Sequence, residues 1–98
     1  MKIVFVGGGT MAQAIISSLI SSNKKFEITV SDPILKVRNE IKKKFGLFVT
    51  DNNLLAIKNS DLIILCIKPQ NFKIVANEIY GKITNDQTIV SIMAGINI

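Results

Sequence analysis

The chain alternates short apolar segments with segments of helical periodicity along its whole length. The segment that most restricts the fold is the unbroken apolar run Leu62-Ile63-Ile64-Leu65-Cys66-Ile67. A strand that is apolar at every position is buried on both faces, as in a parallel sheet covered by helices. Composition and periodicity predict strands at 2–6, 27–31, 47–50, 61–67 and 88–93, and helices at 10–22, 33–45, 53–59 and 72–79. This alternation predicts a doubly wound α/β fold with a parallel sheet.

The composition excludes several classes of protein. A length of 98 residues supports one domain, and an apolar content of 48% is too high for a disordered chain. With one cysteine and no histidine, the chain has no intramolecular disulfide, no ligand set typical of zinc and no Ser-His-Asp mechanism. The longest apolar run is far shorter than the roughly 20 residues that span a membrane, and the N-terminus lacks a signal-peptide pattern. A reducing, cytoplasmic location is expected.

The net charge of +5 comes partly from one basic segment. Five of the twelve basic residues lie close together, namely Lys36, Arg38, Lys42, Lys43 and Lys44. Such a segment is typical of a nucleic-acid surface or of a solvated helix face. The chain has one tyrosine, no tryptophan and no nucleic-acid motif, which favours the solvated face. We therefore expect neither a nucleic acid nor a membrane as a partner.

The strongest motif is a glycine loop between the first strand and the first helix. Its sequence, Gly7-Gly8-Gly9-Thr10-Met11-Ala12, fits the GxGxxA pattern of dinucleotide-binding folds. Gly7 permits a tight turn, Gly9 lets the backbone approach a pyrophosphate, and Ala12 allows the helix to pack closely on the strand. The N–H groups at the helix N-terminus attract phosphate. The loop predicts a Rossmann-type domain that binds NAD(P)H, the alternative being glycines that serve only the turn.

An acidic residue stands where such a fold needs one. Asp32 ends the second predicted strand, 20 residues after Ala12. An acid at this place accepts hydrogen bonds from the adenine-ribose hydroxyls of a dinucleotide. The alternative is that Asp32 only caps the next helix, with Pro33 as the first helical residue.

The ends of the fourth and fifth strands complete the predicted site. Ligands of doubly wound sheets lie beyond the carboxyl ends of the strands, where the strand order reverses. The segment Cys66-Ile67-Lys68-Pro69-Gln70 and the segment Met93-Ala94-Gly95 are both expected at this edge. Lys68 is placed to meet a phosphate, a ribose or a carboxylate, unless it is an ordinary exposed lysine. Cys66 is not predicted to be a nucleophile, because the chain offers no evident base to activate it.

Taken together, these residues resemble the N-terminal domain of the pyrroline-5-carboxylate reductases. The first matching segment, Ile3–Ala12, looks like the family's start, which usually has Asn or Gln in place of Thr10. The match continues in register to Ile98.

Two further segments carry the same resemblance. Ile64–Gln70 is similar to the family's "AVKPQ" segment, with Cys66 and Ile67 replacing Ala and Val. Val90–Ile96 is similar to its "SxAAG" segment, with Met93 replacing Ala.

The resemblance implies an activity and a set of cofactor-binding residues. The family transfers hydride from NAD(P)H to the C=N bond of 1-pyrroline-5-carboxylate, which gives L-proline. By resemblance, the pyrophosphate would be wrapped by Val6, Gly7, Gly8, Gly9, Thr10 and Met11. Asp32 would lie at the adenosine ribose and Asn53 near the adenine. The nicotinamide half would be lined by Cys66, Ile67, Lys68, Pro69, Met93, Ala94 and Gly95.

The resemblance also implies that residues 1–98 are only the NAD(P)-binding domain. In the family, a C-terminal helical domain completes the substrate site and forms the homo-oligomer. That domain is absent from this chain, so we name no catalytic residue and expect little reductase activity from these residues alone.

One departure from the family bears on the choice between NAD and NADP. Members that prefer NADP often carry a small polar residue followed by Arg after the second strand, whereas this chain has Ser31-Asp32-Pro33. A carboxylate repels a 2′-phosphate, and Pro33 has no side-chain donor. Lys36 or Arg38 could offset that repulsion in part. We expect the use of NAD, or of both cofactors.

Two other functions fit the same residues. One is a stand-alone dinucleotide-binding or regulatory module without catalysis. The other is the cofactor domain of a β-hydroxyacid-type dehydrogenase. Fold alone does not separate these functions. The reading frame beyond Ile98 would separate them.

Overall fold

The computed structural model describes residues 1–93, with the backbone alone at Met93. The strands are β1 (Lys2–Val6), β2 (Glu27–Ser31), β3 (Phe48–Thr50), β4 (Leu62–Ile67) and β5 (Thr88–Met93). All pair in parallel within one sheet, in the order β3-β2-β1-β4-β5. The predicted doubly wound α/β fold is confirmed.

The connections between the strands are helical. The helices are α1 (Thr10–Ser21), α2 (Leu35–Phe45), α3 (Asn53–Ile57) and α4 (Pro69–Ile79), and a single 3-10 turn follows at Tyr80–Lys82. Gly46 ends α2 in the left-handed conformation, with φ of 68°, which a glycine adopts without strain. Asn52 caps α3, because its side chain accepts a hydrogen bond from the Leu55 N–H.

The core lies on both faces of the sheet, and the two central strands contribute to both halves. On one face, Phe5 and Ile64 pack with residues of α1 and α2. On the other face, Val6 and Leu65 pack with residues of α3 and α4. Burial of alternate residues on opposite faces explains why β1 and β4 are apolar at nearly every position.

Several local predictions differ from the structure. Helix α4 begins at Pro69 rather than at Phe72, because a proline suits the first helical position, where no N–H is needed. Helix α2 begins at Leu35 rather than at Pro33. The cause is the carboxylate of Asp32, whose Oδ1 accepts a hydrogen bond from the Ile34 N–H at 2.9 Å and holds the chain in a turn before the helix. In α1, the helical spacing of Met11, Ala14, Ile15 and Leu19 predicts that these residues form the buried stripe, but Met11 is 45% exposed. The buried residues there are Ala12 and Ile16, so the helix is rotated relative to the predicted stripe.

The strand order determines where a ligand site can form. From β1 the chain first adds β2 and β3 on one side, and then crosses to add β4 and β5 on the other. The order therefore reverses between β1 and β4, at whose carboxyl ends Val6 pairs with Leu65. A crevice forms at such a reversal, beyond the carboxyl ends of the two strands.

Candidate functional site

Gly7 opens the loop at the end of β1, and the structure requires a glycine there. Its φ is +104°, a conformation that other residues rarely adopt. A Cβ added at Gly7 would lie 2.1 Å from the carbonyl oxygen of Cys66, so the backbones at the ends of β1 and β4 approach closely. Its N–H donates to the carbonyl oxygen of Ser31 at 2.7 Å. The predicted tight turn is confirmed.

Gly8 is held beneath helix α2. A Cβ at this position would lie 2.4 Å from Cδ1 of Ile41 and 3.1 Å from Cγ1 of Val30. The N–H of Gly8 donates to Oδ2 of Asp32 at 2.9 Å. Gly8 is therefore a packing requirement of the fold itself.

Gly9 differs from both of its neighbours. Among residues 1–93, a Cβ added at Gly9 would meet nothing within 4 Å, and its φ of −74° suits any residue. It is the N-cap of α1, and no side chain within residues 1–93 caps that helix. The first turn of α1 contains no acidic residue, so the partial positive charge at its N-terminus is not neutralised from within the helix. The space at Gly9 thus suits a close approach by an anion.

The two residues after Gly9 face outward, and the third faces the sheet. Thr10 and Met11 are exposed in the first turn of α1. Ala12 is fully buried and packs with the core residues of β1 and β2. The prediction that Ala12 permits close packing of helix on sheet is confirmed.

Asp32 lies at the end of β2, with its carboxylate turned inward. The residue is 8% exposed. Oδ2 accepts from the Gly8 N–H and Oδ1 from the Ile34 N–H, each at 2.9 Å. A carboxylate has about four lone-pair sites, so both oxygens retain the capacity to accept a ribose hydroxyl. Asp32 thus joins the glycine loop to the turn before α2. The alternative that it caps this helix is wrong, because the N-cap is Ile34 and no described side chain caps it.

Arg38 lies at the same corner, although the sequence places it a full turn into α2. Its guanidinium folds back, and Nη1 donates to the backbone carbonyl oxygen of Asp32 at 2.9 Å. The cation therefore stands beside the end of β2, which is the position of the adenosine ribose in dinucleotide-binding folds.

Asn53 links three elements behind this corner. It is the first residue of α3, and its Oδ1 accepts a hydrogen bond from the Ser31 hydroxyl. Its Nδ2 donates to Oε1 of Glu78 on α4 at 2.6 Å. The Asn53 side chain, which was expected near the adenine, thus already forms hydrogen bonds within the protein through both its oxygen and its nitrogen.

The end of β4 lies beside the glycine loop, as predicted. Ile67 packs against the core on the α3 and α4 face, and Cys66 packs against the core on the other. Burial raises the pKa of the Cys66 thiol from 9.0 to about 11, so the thiolate is scarce at neutral pH. This agrees with the prediction that Cys66 is not a nucleophile.

Helix α4 begins at the same edge. Pro69 is its first residue, where a missing N–H costs nothing, and exposed Lys68 is its N-cap. In the sheet, Met93 pairs with Ile67, so the backbone of β5 reaches the end of β4. Ala94 and Gly95, expected at the same edge, lie outside the described residues.

Sequence reasoning missed one pair of side chains at the loop. Gln13, in α1, donates from Nε2 to the carbonyl oxygen of Gly8 at 3.0 Å and to Oε1 of Glu40 at 3.1 Å. The only available signal was a polar residue beside the buried Ala12, and such a residue is common on helices.

Other features of the described chain point away from alternative sites. Two open hollows, of about 480 and 490 Å³, lie towards the amino ends of the strands and are lined in part by Ile28. Both are far from the crevice that the strand order creates. Within residues 1–93 there is no cluster of three potential metal ligands, and no helix is long and apolar enough to cross a membrane.

Comparison with known proteins relates the chain to one group of reductases. The pyrroline-5-carboxylate reductase of Staphylococcus epidermidis is 36% identical across the whole chain. The solved pyrroline-5-carboxylate reductase of Coxiella burnetii superposes with a TM-score of 0.87 at 29% identity, over 97% of this chain. That of Streptococcus pyogenes superposes with a TM-score of 0.76 at 35% identity, over 99% of this chain.

These relatives are much longer proteins. The chain spans 37% of the Staphylococcus protein, 36% of the Coxiella chain and 35% of the Streptococcus chain. The similarity therefore covers little more than a third of the length of each relative. A family model described as "NADP oxidoreductase coenzyme F420-dependent" matches residues 2–95, and the chain accordingly belongs to that family of oxidoreductases.

Proposed function

We propose that this chain binds NAD(P)H across the glycine loop, with the pyrophosphate at the N-terminus of α1. The observation that carries the proposal is Gly9. The fold explains Gly7 by a close backbone contact and Gly8 by packing under α2, but no described residue within 4 Å explains the missing side chain at Gly9. A ligand that approaches the backbone does explain it.

The charge at this point supports an anionic ligand. In the part of the chain that the structure describes, no side chain caps the N-terminus of α1, and the first turn of this helix has no acidic residue. Unpaired N–H groups and the helix dipole together favour a phosphate there, typically by about 0.3–1 kcal/mol for the dipole alone. The site therefore fits a pyrophosphate without any lysine in the loop.

We propose further that the chain is the cofactor-binding part of a pyrroline-5-carboxylate reductase. The support is the name shared by its relatives together with the three segments that resemble that family. NAD(P)H would supply a hydride for the C=N bond of 1-pyrroline-5-carboxylate, which gives L-proline. The substrate site and the homo-oligomer contacts would come from the family's C-terminal helical domain. The proposed setting is the cytoplasm, where the single cysteine stays reduced.

The residues near the β4 edge would receive the nicotinamide half. Lys68 is exposed at the start of α4, and Cys66 and Ile67 flank the close backbone contact with Gly7. We assign these residues the task of shaping the crevice. Acid–base chemistry is not assigned to Cys66, because burial raises the pKa of its thiol to about 11.

The corner formed by Asp32 and Arg38 supports the use of both NADH and NADPH. The Asp32 carboxylate already accepts hydrogen bonds from two backbone N–H groups, whose partial positive charges offset part of its repulsion of a 2′-phosphate. The Arg38 guanidinium uses one donor on the Asp32 carbonyl, and an arginine has five. The two charges oppose each other at the ribose, so we expect affinities for the two cofactors within about tenfold.

Titration of the purified chain with NADH and NADPH tests the proposed binding at the glycine loop and the proposed use of both cofactors. Absence of binding to either would contradict the assignment of the glycine loop. Arg38→Ala should lower the affinity for NADPH by about tenfold and barely change that for NADH. Lys43→Ala removes the same charge from the same helix away from the corner and should change neither affinity. Equal effects of the two variants on NADPH would show that overall charge, and not Arg38, attracts the phosphate.

Substrate assignment needs the complete enzyme. The full-length protein should oxidise NAD(P)H in the presence of 1-pyrroline-5-carboxylate. Turnover of a β-hydroxyacid with NAD(P)⁺, and none of 1-pyrroline-5-carboxylate, would identify the other type of dehydrogenase.

A further inference from the structure

The peptide that joins Gly8 to Gly9 is flanked by two glycines, as is the peptide before it. Glycine adopts positive and negative φ about equally well, so a peptide flanked by two glycines can rotate with little steric penalty. In one orientation its N–H points towards a bound anion, and in the other its carbonyl oxygen does. A carbonyl oxygen facing a pyrophosphate would repel it. The loop therefore needs something that selects the first orientation.

The structure shows a donor that makes this selection. Nε2 of Gln13 donates to the carbonyl oxygen of Gly8 at 3.0 Å, from the first turns of α1. The peptide is planar and trans, so the Gly9 N–H points away from Gln13 when the carbonyl points towards it. The contact thus keeps the Gly9 N–H directed away from the helix side chain.

Gln13 is itself held in place from α2. The same Nε2 donates its second hydrogen to Oε1 of Glu40 at 3.1 Å. The peptide before Gly8 is fixed separately, because the Gly8 N–H donates to Asp32. Both polar backbone groups of Gly8 are therefore bound by side chains, one from β2 and one from α1.

We propose that Gln13 is a positioning residue for the dinucleotide, which holds the Gly8–Gly9 peptide in its anion-binding orientation while Glu40 orients the Gln13 amide. The proposal rests on the proposed binding of NAD(P)H at the loop. Gln13 acts through the peptide and need not touch the ligand.

The test compares three variants by binding and by the amide resonance of Gly9. Gln13→Met keeps the length of the side chain and removes its donors, whereas Gln13→Lys provides donors again. Ser18→Ala changes an exposed residue on the same helix and serves as the control. Each protein is titrated with ADP-ribose, NADH and NADPH, its melting temperature is measured, and the Gly9 amide is followed by NMR without ligand.

We expect Gln13→Met to lower the affinity for all three ligands by the same factor, about fivefold, since they share the pyrophosphate. Its melting temperature should match that of wild type, and its Gly9 amide resonance should shift. Gln13→Lys should recover affinity and return the resonance towards its original position. The proposal is overturned if Gln13→Met binds like wild type, or if affinity falls while the Gly9 resonance stays in place. It is also overturned if a fall in melting temperature accompanies the loss of affinity and Gln13→Lys restores only the melting temperature. Absence of binding by the wild-type chain would instead refute the proposed function, and this inference with it.

Discussion

Replacement of Gly9 by valine separates the demands of the fold from those of the ligand. The added side chain projects into open space, and the φ of −74° needs no change. The loss of an N-cap glycine costs about 0.5–1 kcal/mol, which corresponds to a fall of roughly 5 °C in the melting temperature of a domain of this size. The fold should therefore survive the substitution.

Binding should respond much more strongly. A phosphate oxygen approaches a backbone N–H to about 2.9 Å, and a valine side chain occupies the space that this approach requires. Loss of one hydrogen bond to a charged group costs about 1.5–3 kcal/mol, so the affinity should fall by roughly 10- to 100-fold. NADH fluorescence titration measures the affinity, and thermal circular dichroism measures the fold.

Gly81 provides a matched control for this experiment. A Cβ added at Gly81 also meets nothing within 4 Å, and the residue lies in the 3-10 turn after α4. Gly81→Val should leave both the affinity and the melting temperature near those of wild type. If Gly9→Val retains the wild-type affinity while folding normally, the glycine has no role in binding and the reasoning from its open surroundings is wrong.

Three further outcomes follow from the structure. Gly7→Ala should destabilise the protein by several kcal/mol in urea unfolding, because its Cβ would meet the Cys66 carbonyl oxygen at 2.1 Å; a stability equal to wild type would contradict the backbone geometry described. The 98-residue chain alone should show no reductase turnover with 1-pyrroline-5-carboxylate, and a rate of about 1 per second or more in an NADPH oxidation assay would disprove this. The rate of alkylation of Cys66 by iodoacetamide should increase with pH, with a midpoint that gives a pKa of about 11. A midpoint near 9.0 would show that the thiol is not desolvated. Because the folded pKa is the higher one, this thiol's contribution to stability is present below pH 9.0 and is lost as the pH rises to about 11.

The sheet could be predicted from the sequence because its determinants are local. β-Branched and apolar residues define β1 and β4, and the bounds predicted for β1, β2 and β5 agree with the structure. The start of α2 was predicted wrongly, since a hydrogen bond from the Ile34 N–H to Asp32 keeps Pro33 outside the helix. Residue type alone does not reveal which of several possible turns an aspartate will form.

The details of the site depend on contacts between distant segments. The bridge from Gln13 to Glu40 depends on how far α1 and α2 stand from each other, and the fold-back of Arg38 onto Asp32 depends on the turn that precedes α2. The glycine motif predicted a tight turn at Gly7 but could not show that its backbone lies against the Cys66 carbonyl. Sequence patterns thus located the site, whereas the three-dimensional arrangement identified which groups are already engaged and which are available.

Each of the three consecutive glycines is subject to a different constraint. During evolution these constraints can be lost one at a time. Gly7 is required by the backbone of β4 and Gly8 by the side chains of β2 and α2, whereas no atom within 4 Å in the described part of the chain requires Gly9. A descendant of this sequence that gave up its ligand would still have to keep the first two glycines to fold. Only Gly9 would be free to be substituted. Among natural variants, a bulky residue at position 9 beside intact glycines at 7 and 8 would therefore mark a domain that has kept its architecture after losing its cofactor.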